Sequence, residues 1–458
     1  MTTAHPNRHT AADGSEFDRF AAENPDITEL ETFIVDVNGN AIGKRLPMRD
    51  GRRAFEGGVA FSACAPILDC RGRGQNPGGL GGSDGDPDGV LVPISGTLAP
   101  VPWTTSKLAQ VMCSMRETST LKPLWFDPRV VLEKVLERCH SAGIHPVVAC
   151  ELEFYLVARR RAANGGLQLA DDGRGQGPPR RPANLSLDAI EDNSAFLAQV
   201  AAAARAQDLP LCGTVAEYGV GQFEINLRHS ADALLAADQA ALLKRLVRGV
   251  ARANQMDATF MAKPFLDQPG NGLHIHVSLA DETGRNRFGE AGGEQLLAHV
   301  VAGMQALVLD SAALFAPNFN SFRRFVGPFV PTTPSWGLNN RSVAFRIPAG
   351  GLADRRIEHR VAGADASPHL AVAAVLAAVL HGITNELLPT DPTLGRPGAS
   401  AAPAFPRLLH AALDRLVRAD ALYPYIEKRY LDAYVDLKRG ECAALFEEIS
   451  PREVDFYA

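Results

Sequence analysis

The sequence predicts an α+β protein with a small N-terminal β domain and a larger domain that mixes helices with strands. Residues 32–47 have the pattern of a hairpin, and from residue 125 onward helical patterns alternate with apolar strands. With 458 residues, of which 46% are hydrophobic and 21% are charged, the chain can bury a large core and divide into about two or three domains. We expect a flexible leader at 1–24, a first domain at 25–120 and a second at 121–458.

The local patterns predict each element in turn. Residues 17–30 favour a short helix, and the hairpin strands meet at Asn38-Gly39, a pair typical of turns of the primed type. Gly-rich and Pro-rich stretches at 71–89 and 159–184 predict loops. The remaining predicted elements are strands at 145–157 and 216–227, helices at 125–143, 194–207 and 242–255, and a buried helix at 369–383.

Charge and cysteine usage disfavour several classes of protein. A formal net charge of −6 and a pI near 6.1 give no long-range attraction for nucleic acid or anionic membranes. Residues 1–20 contain no apolar signal segment, and no later stretch is apolar over a membrane-spanning length, so we expect a cytoplasmic protein. The seven cysteines form no CxxC pair, which is typical of reduced thiols rather than of a disulfide framework or a zinc site.

Four glutamates lie in or beside apolar segments that are predicted to be strands. In ACELEFYLV, Glu151 and Glu153 are two residues apart and therefore point to the same face. In AEYGVGQFEINL, Glu217 and Glu224 lie on either side of a bend that contains glycine. Like charges side by side are costly unless a cation lies between them. An exposed edge strand with a solvated acidic face is the alternative for the first pair, and it stays open at this point.

The segment GNGLHIHVSLA places polar side chains on one face of another predicted strand. His274, His276 and Ser278 alternate with apolar residues. Two imidazoles at this spacing can bind a metal or a phosphate, or can form a purely structural pair. Gly270 and Gly272 permit a close approach of the backbone to a ligand.

Five arginines surround Glu358 in the sequence: Arg341, Arg346, Arg355, Arg356 and Arg360. Residues 341–348 favour a strand, in which guanidinium groups need anions as partners. The guanidinium fork matches carboxylate and phosphoryl oxygens. A lattice of surface salt bridges is the alternative explanation.

Taken together and in this order, the motifs resemble those of the glutamine synthetase family over nearly the whole chain. The resemblance rests on Glu-x-Glu, on Glu-x6-Glu ending in GQFEI, and on GxGxHxHxS, NRSxxxRIP and RxExR. It implies a β-grasp-like N-terminal domain, a large catalytic α/β domain and hexameric rings, usually stacked, whose active sites are shared between neighbours. The metal ligands that it implies are Glu153, Glu217 and Glu224 for one divalent cation and Glu151, His274 and Glu358 for a second.

The cofactors and substrates follow from the same resemblance. Two or three ions are expected per site, and an oxygen-rich ligand set with one imidazole suits Mg²⁺ or Mn²⁺ better than Zn²⁺. ATP would phosphorylate the γ-carboxylate of glutamate, and an amine would then attack the acyl phosphate. Arg341 and Arg324 are the expected catalytic residues, and Arg346, His276 and Ser278 should bind the nucleotide. The residues expected to hold glutamate are Arg324, Arg360 and the backbone of Gly270.

The chain departs from the family where the amine should bind. In the family, a glutamate on a flap closes over the site and takes a proton from ammonium, and the matching position here is Val330. The aspartate that the neighbouring subunit contributes to bind ammonium aligns with Ser62. The tyrosine that usually completes the ammonium pocket has no match in 171–187. An ammonium ion needs acceptors and a compensating charge to leave water, and a valine supplies neither. Val330 can instead pack against the carbon part of R-NH₂, which predicts a γ-glutamylamide as the product.

This pattern is similar to that of the γ-glutamylpolyamine and γ-glutamylmonoamine synthetases. A polyamine would need a carboxylate for its distal ammonium, and because the sequence identifies none, a monoamine is slightly favoured. An ammonia-using glutamine synthetase and a non-catalytic member of the family are the alternatives. Two further departures are Ser367 and His369 in SPHL, and the lack of a tyrosine for adenylylation in 386–405.

Overall fold

Two β-sheets organise the chain, one in the N-terminal part and a larger one that follows it. The protein is represented by a computed structural model, which describes residues 12–173, 175, 177–179, 181, 183–326, 329–397, 404–447 and 449–457. The predicted α+β class is confirmed. Residues 1–11 of the predicted leader and 398–403 of the segment without tyrosine lie outside the described residues.

The N-terminal sheet has the strand order β2-β1-β6-β4-β3, and β5 pairs with β6. Strands β1 and β6 are parallel, and the other pairs are antiparallel. Its elements are helices α1 (Gly14–Glu23) and α2 (Gly51–Gly57) and strands β1 (Glu29–Val35), β2 (Ala41–Pro47), β3 (Val59–Ser62), β4 (Asp88–Pro93), β5 (Ala99–Pro100) and β6 (Leu108–Glu117).

The predicted hairpin is present as β1 and β2, but its turn is not of the primed type. A type I′ turn needs positive φ at both central residues, whereas only Gly39 of the Asn38-Gly39 pair has it, at 72°. The Asp36 carboxylate accepts hydrogen bonds from the backbone N–H groups of Asn38 and Asn40, at 3.0 and 2.7 Å. This side-chain bond stabilises a different turn, which the dipeptide alone does not indicate.

Part of the predicted leader is folded. Asp13 caps α1 by accepting hydrogen bonds from the backbone of Ser15 and Glu16. Phe17 is buried, and its ring lies 5.5 Å from that of Phe55 on α2. Residues 14–23 therefore form a helix that packs against α2, and the division into a leader and two domains stays a prediction.

The second, central sheet has the strand order β12-β13-β14-β11-β7-β9-β8, and β10 pairs with the end of β7. All its pairs are antiparallel except β12 with β13. Its strands are β7 (His145–Ala158), β8 (Leu211–Ala216), β9 (Gln222–Leu227), β10 (Met256–Thr259), β11 (Leu273–Ala280), β12 (Trp336–Leu338), β13 (Phe345–Ile347) and β14 (Ile357–His359). Because β7 has β9 and β11 as neighbours, the edge-strand alternative for Glu151 and Glu153 is excluded.

One strand is much shorter than predicted. Only Phe345–Ile347 of the segment 341–348 is β-strand, and Arg341 lies in an exposed turn before it. The Asn340 side chain accepts a hydrogen bond from the Ser342 backbone at 2.9 Å, which favours a turn at this point over a strand.

Helices pack against the central sheet and against each other, and the predicted helices of this part are all present. Asp127 caps α3 and Asp232 caps α6, each through its carboxylate. The helices are α3 (Pro128–Ser141), α4 (Leu187–Asp192), α5 (Ser194–Ala206), α6 (Ala233–Ala253), α7 (Gly293–Leu307), α8 (Ala312–Phe315), α9 (Pro368–Thr384), α10 (Leu409–Leu416), α11 (Lys428–Phe446) and α12 (Pro451–Tyr457).

The apolar helix α9 lies inside the protein, as its composition predicts. Every residue from Pro368 to Leu380 is buried, and α9 packs against α3, α6 and α7. Among the described residues, none of the helices combines the length and the apolar character needed to cross a membrane. Each of the seven cysteines is a free thiol, as predicted.

A buried ionic cluster connects three of these helices. Arg129 on α3 donates two hydrogen bonds of 3.0 Å to Asp238 on α6, and His369 on α9 lies 2.8 Å from the same carboxylate. The sequence departure at His369 is therefore a packing feature with a partner of its own. Burial opposes ionisation of Asp238, but Arg129 and His369 hold its pKa well below the usual range.

Removing the central carboxylate should destabilise the protein strongly. We expect Asp238→Ala to lower the free energy of unfolding by about 3–5 kcal/mol, because Arg129 and His369 lose a buried partner. Chemical denaturation would measure this loss, with Asp436→Ala on the exposed face of α11 as a control that should change stability by less than about 0.5 kcal/mol. Equal stability of the two variants would contradict the assignment.

Candidate active site

Cross-strand pairing in the central sheet places the predicted site residues side by side. The register pairs Glu151 with His274, Glu153 with Glu224, and His276 with Glu358. Since side chains alternate along a strand, these residues point to one face, whereas Leu152 and Phe154 are fully buried on the other. The carboxylates therefore come from neighbouring strands of one sheet and not from a loop.

Two groups of ligand atoms result, and they share His274. Atoms of Glu151, His274 and Glu358 lie within 4.8 Å of one another, and so do atoms of Glu153, Glu224 and His274. The imidazole Nδ1 of His274 is 3.4 Å from Glu151 Oε2 and 3.9 Å from Glu358 Oε1. Glu217 follows β8 and lines the same cavity, but it belongs to neither compact group. The structure thus brings together five of the six predicted metal ligands and places the sixth nearby.

The glutamates on the β8 and β9 side carry more negative charge than the protein compensates. Burial, together with the charges of Glu151, Glu153 and Glu217, raises the pKa of Glu224 to about 9. Burial and the charge of Glu153 also raise the pKa of Glu217. A bound divalent cation would let these carboxylates ionise, so the side chains present fit such an ion.

The other side of the site already contains compensating charge. Glu358 accepts a hydrogen bond of 2.6 Å from Arg346 and another from Arg360. Burial opposes ionisation of Glu358, but Arg360, His274 and His276 lower its pKa to about 2. Burial likewise opposes ionisation of Glu151, yet its contacts with His274 and His276 keep its pKa below the usual value. These two carboxylates can therefore serve as charged ligands over the whole physiological pH range.

The glycine-rich turn before β11 is shaped around an arginine. A Cβ atom at Gly270 would lie 2.4 Å from the Ala262 carbonyl oxygen and 2.8 Å from Arg324 Cγ, so only glycine fits. Arg324 is itself buried and donates to the backbone carbonyl oxygens of Val361 and Arg360, at 2.9 and 3.3 Å. Burial lowers its pKa relative to that of a free guanidinium.

A cavity of about 930 Å³ opens onto this face of the sheet. All the predicted site residues line it except Ser62 and Ser278. Ser278 lines an adjoining cleft that shares Arg356 with the cavity, and Arg356 donates a hydrogen bond of 3.1 Å to His276 Nδ1. Ser62 lies at the end of β3 in the N-terminal sheet, where its hydroxyl donates to Asp86 at 2.9 Å. Within one chain, Ser62 is therefore not part of the amine pocket that the sequence predicts.

Sequence reasoning missed the residues at the mouth of the cavity. Tyr218 and Phe329 face each other there with ring centroids 5.7 Å apart, and both are half exposed. Val326, Val330 and Leu266 extend this apolar rim, and Asp267 adds a carboxylate. Tyr218 directly follows Glu217 and Phe329 precedes Val330, but nothing in the sequence indicates that these two segments meet.

Comparisons with known proteins agree with this geometry. Residues 126–457 match the family described as glutamine synthetase, catalytic domain. The chain is 37% identical to gamma-glutamylputrescine synthetase of Escherichia coli (strain K12), over 98% of this chain and 95% of that protein. It is 35% identical to glutamate–isopropylamine ligase of a Pseudomonas species, over 73% and 72% of the two chains. A solved structure of a GmaS/ADP complex has a TM-score of 0.81 at 25% identity, covering 96% of this chain and 99% of that one.

The raised pKa of Glu224 predicts that metal binding depends on pH. At neutral pH the metal-free protein holds a proton on Glu224, which a divalent cation must displace. The metal-free protein should lose stability as the pH rises from the ordinary glutamate value to about 9, because only the folded state retains this proton. The gain in melting temperature on adding Mg²⁺ should increase over the same range.

Thermal melting with and without Mg²⁺, from about pH 6 to about pH 9, would measure both trends. In Glu224→Gln the position stays neutral at every pH, so the pH-dependent loss of stability in the metal-free protein should shrink. If Mg²⁺ raised the melting temperature by the same amount at every pH, the assignment of Glu224 as a metal ligand would be contradicted.

Proposed function

We propose that this chain, which belongs to the glutamine synthetase family and is an ATP-dependent carbon–nitrogen ligase, joins glutamate to a substituted amine. The observation that carries the proposal is the apolar mouth of the cavity, which includes Val330, the residue that we propose replaces the family's flap glutamate. Together with Val326 and Phe329 it offers carbon surface, and these three side chains supply no acceptor for an ammonium ion. The names of the two amine ligases among its relatives support the same conclusion.

The arginines have distinct roles in this reaction. Arg324 and Arg360 bind the carboxylates of glutamate beside Gly270, and Arg341 neutralises charge on the phosphoryl group as it moves from ATP to the γ-carboxylate. Arg346 binds the ATP phosphates, and His276 and Ser278 contact the nucleotide through the cavity and its adjoining cleft. Arg341 is exposed at the cavity wall and can approach the substrate without the cost of breaking a buried ion pair.

The second step forms the amide. The ammonium group of the acceptor loses a proton, and its nitrogen attacks the γ-carbonyl carbon of the acyl phosphate. The carbon–oxygen bond to phosphate then breaks, and the products are the γ-glutamylamide, ADP and inorganic phosphate. Val330 and its apolar neighbours exclude water from the acyl phosphate while they contact the carbon part of the amine.

Divalent cations and ATP are part of this proposal. The family generally uses ATP with divalent metal ions, and we propose Mg²⁺ or Mn²⁺, held by Glu153, Glu217 and Glu224 and by Glu151, His274 and Glu358. A bound cation would supply positive charge to the phosphoryl oxygens and to the γ-carboxylate. We also propose a ring of subunits, a hexamer or a stacked dodecamer, in which Ser62 reaches the amine pocket of the neighbouring subunit.

A panel of amines tests the proposed function. We expect ATP-dependent phosphate release with glutamate and Mg²⁺ to be fast with at least one substituted amine and slow with ammonium, because Val330 contacts the carbon part of an amine and lacks the charge of the flap carboxylate that it replaces. The panel should contain ammonium, ethanolamine, short alkylamines, aromatic ethylamines, putrescine and spermidine. Ammonium as the best acceptor would instead make the chain a glutamine synthetase with a different ammonium site.

Restoring the flap carboxylate should shift the preference towards ammonia. We expect Val330→Glu to raise the ratio of the ammonia-dependent rate to the amine-dependent rate by about tenfold, because the new carboxylate can accept a proton and compensate an ammonium charge. Val330→Gln introduces a side chain of nearly the same size as glutamate but without its charge, and it serves as the control. An unchanged ratio in Val330→Glu would show that the flap position lies elsewhere.

A further inference from the structure

We infer that the acceptor amine carries a second ammonium group and that Asp267, at the mouth of the cavity, binds it. The inference rests on the proposed function and names the class of its substrate: an α,ω-diamine or a longer polyamine. It revises the slight preference for a monoamine, which depended on the sequence offering no carboxylate for a distal charge. The structure brings Asp267 to the wall of the same cavity as Val330.

Two turns tied together by hydrogen bonds form the wall that carries Asp267. The Val220 backbone donates to the Gln268 side chain at 3.3 Å, and the Gln222 side chain donates to the Gly270 carbonyl oxygen at 3.0 Å. The Tyr155 hydroxyl also donates to the Pro269 carbonyl oxygen at 2.8 Å. The segment around Asp267 is thereby fixed beside the turn that contains Glu217 and Tyr218.

The carbon chain of a diamine has an apolar path along the rim. Leu266 and Val326 are 68% and 71% exposed, and exposed apolar side chains grouped around an opening are typical of a ligand groove. The rings of Tyr218 and Phe329 face each other across this path. Phe329 has a φ of 60°, a left-handed conformation that is costly for a bulky residue.

The same rings can stabilise a cation. The guanidinium of Arg396 already lies 5.9 Å from the centre of the Phe329 ring, which shows that this ring can accept a positive charge at its face. Tyr218, Phe329 and Asp267 line the same cavity, which therefore offers both π faces and a carboxylate to a distal ammonium group. A neutral alkyl end gains only the apolar contacts.

Asp267 is available for such a partner. Within the described residues, its exposed carboxylate accepts no hydrogen bond and forms no ion pair. The nearby Lys263 donates its ammonium to the Gln268 carbonyl oxygen instead. The other acids of the cavity are five glutamates: Glu151, Glu153, Glu217, Glu224 and Glu358. We place these five at the metal centre, which leaves Asp267 for the substrate.

Two acceptors that differ only in the second amino group can measure the contribution of the distal charge. Butylamine has the carbon chain of 1,4-diaminobutane without the second amino group, so the ratio of their kcat/KM values measures what that group contributes. We expect Asp267→Asn to lower kcat/KM for 1,4-diaminobutane by about tenfold, mainly through KM, because one charge-assisted hydrogen bond is lost. The value for butylamine should change less than about twofold, and Asp436→Asn, on α11 and away from the cavity, should change neither.

The aromatic pair gives a second test. Tyr218→Leu keeps an apolar side chain but removes the π face, and we expect it to reduce the preference for the diamine, whereas Tyr218→Phe should retain it. If Asp267→Asn left the ratio of the two kcat/KM values unchanged, whether through no loss or through equal losses for both acceptors, the inference would be overturned. If the unmodified enzyme turned over another amine of the panel but neither of these two, the inference alone would fail. If it turned over none of the substituted amines, the proposed function itself would fail.

Discussion

The register of the central sheet is the constraint on which the site depends. Glu151 is opposite His274, Glu153 is opposite Glu224, and His276 is opposite Glu358, so one hydrogen-bonding pattern brings the candidate ligands of four strands together. A slip of one residue would turn a whole strand of polar side chains towards the apolar core. The fully buried side chains of Leu152 and Phe154 oppose such a slip, and in this way the packing of the core fixes the geometry of the ligands.

Charge is distributed unevenly across this face, and the imbalance explains how the site can bind both cations and anions. On the β9 side, burial and the nearby charges of Glu151, Glu153 and Glu217 raise the pKa of Glu224. On the β14 side, Arg346 and Arg360 keep Glu358 ionised. A cation is therefore needed at one end of the cavity, while arginines are available for phosphate and carboxylate groups at the other.

Residue patterns predicted most of the fold and the inner part of the site, because alternation along a strand determines which side chains share a face. The resemblance to the glutamine synthetase family named the proposed metal ligands and His276, Arg324 and Arg346, and these residues line one cavity. The outer part could not be predicted from local patterns because it depends on contacts between distant segments. Tyr218 contacts Phe329, and Asp267 lines the same cavity, through turns whose positions no local pattern determines. The hairpin turn and the short strand β13 differed from expectation where side chains of Asp36 and Asn340 bind the backbone.

The central claim is that the carboxylates of the sheet form a metal centre beside which glutamate, ATP and an amine react. Crystals grown with Mn²⁺ and ADP, measured at the manganese absorption edge, test it most directly. We predict one anomalous peak among Glu151, His274 and Glu358 and another among Glu153, Glu217 and Glu224, with Glu217 drawn towards the second ion. Crystals with ADP bound and no manganese peak on this face of the sheet would contradict the account.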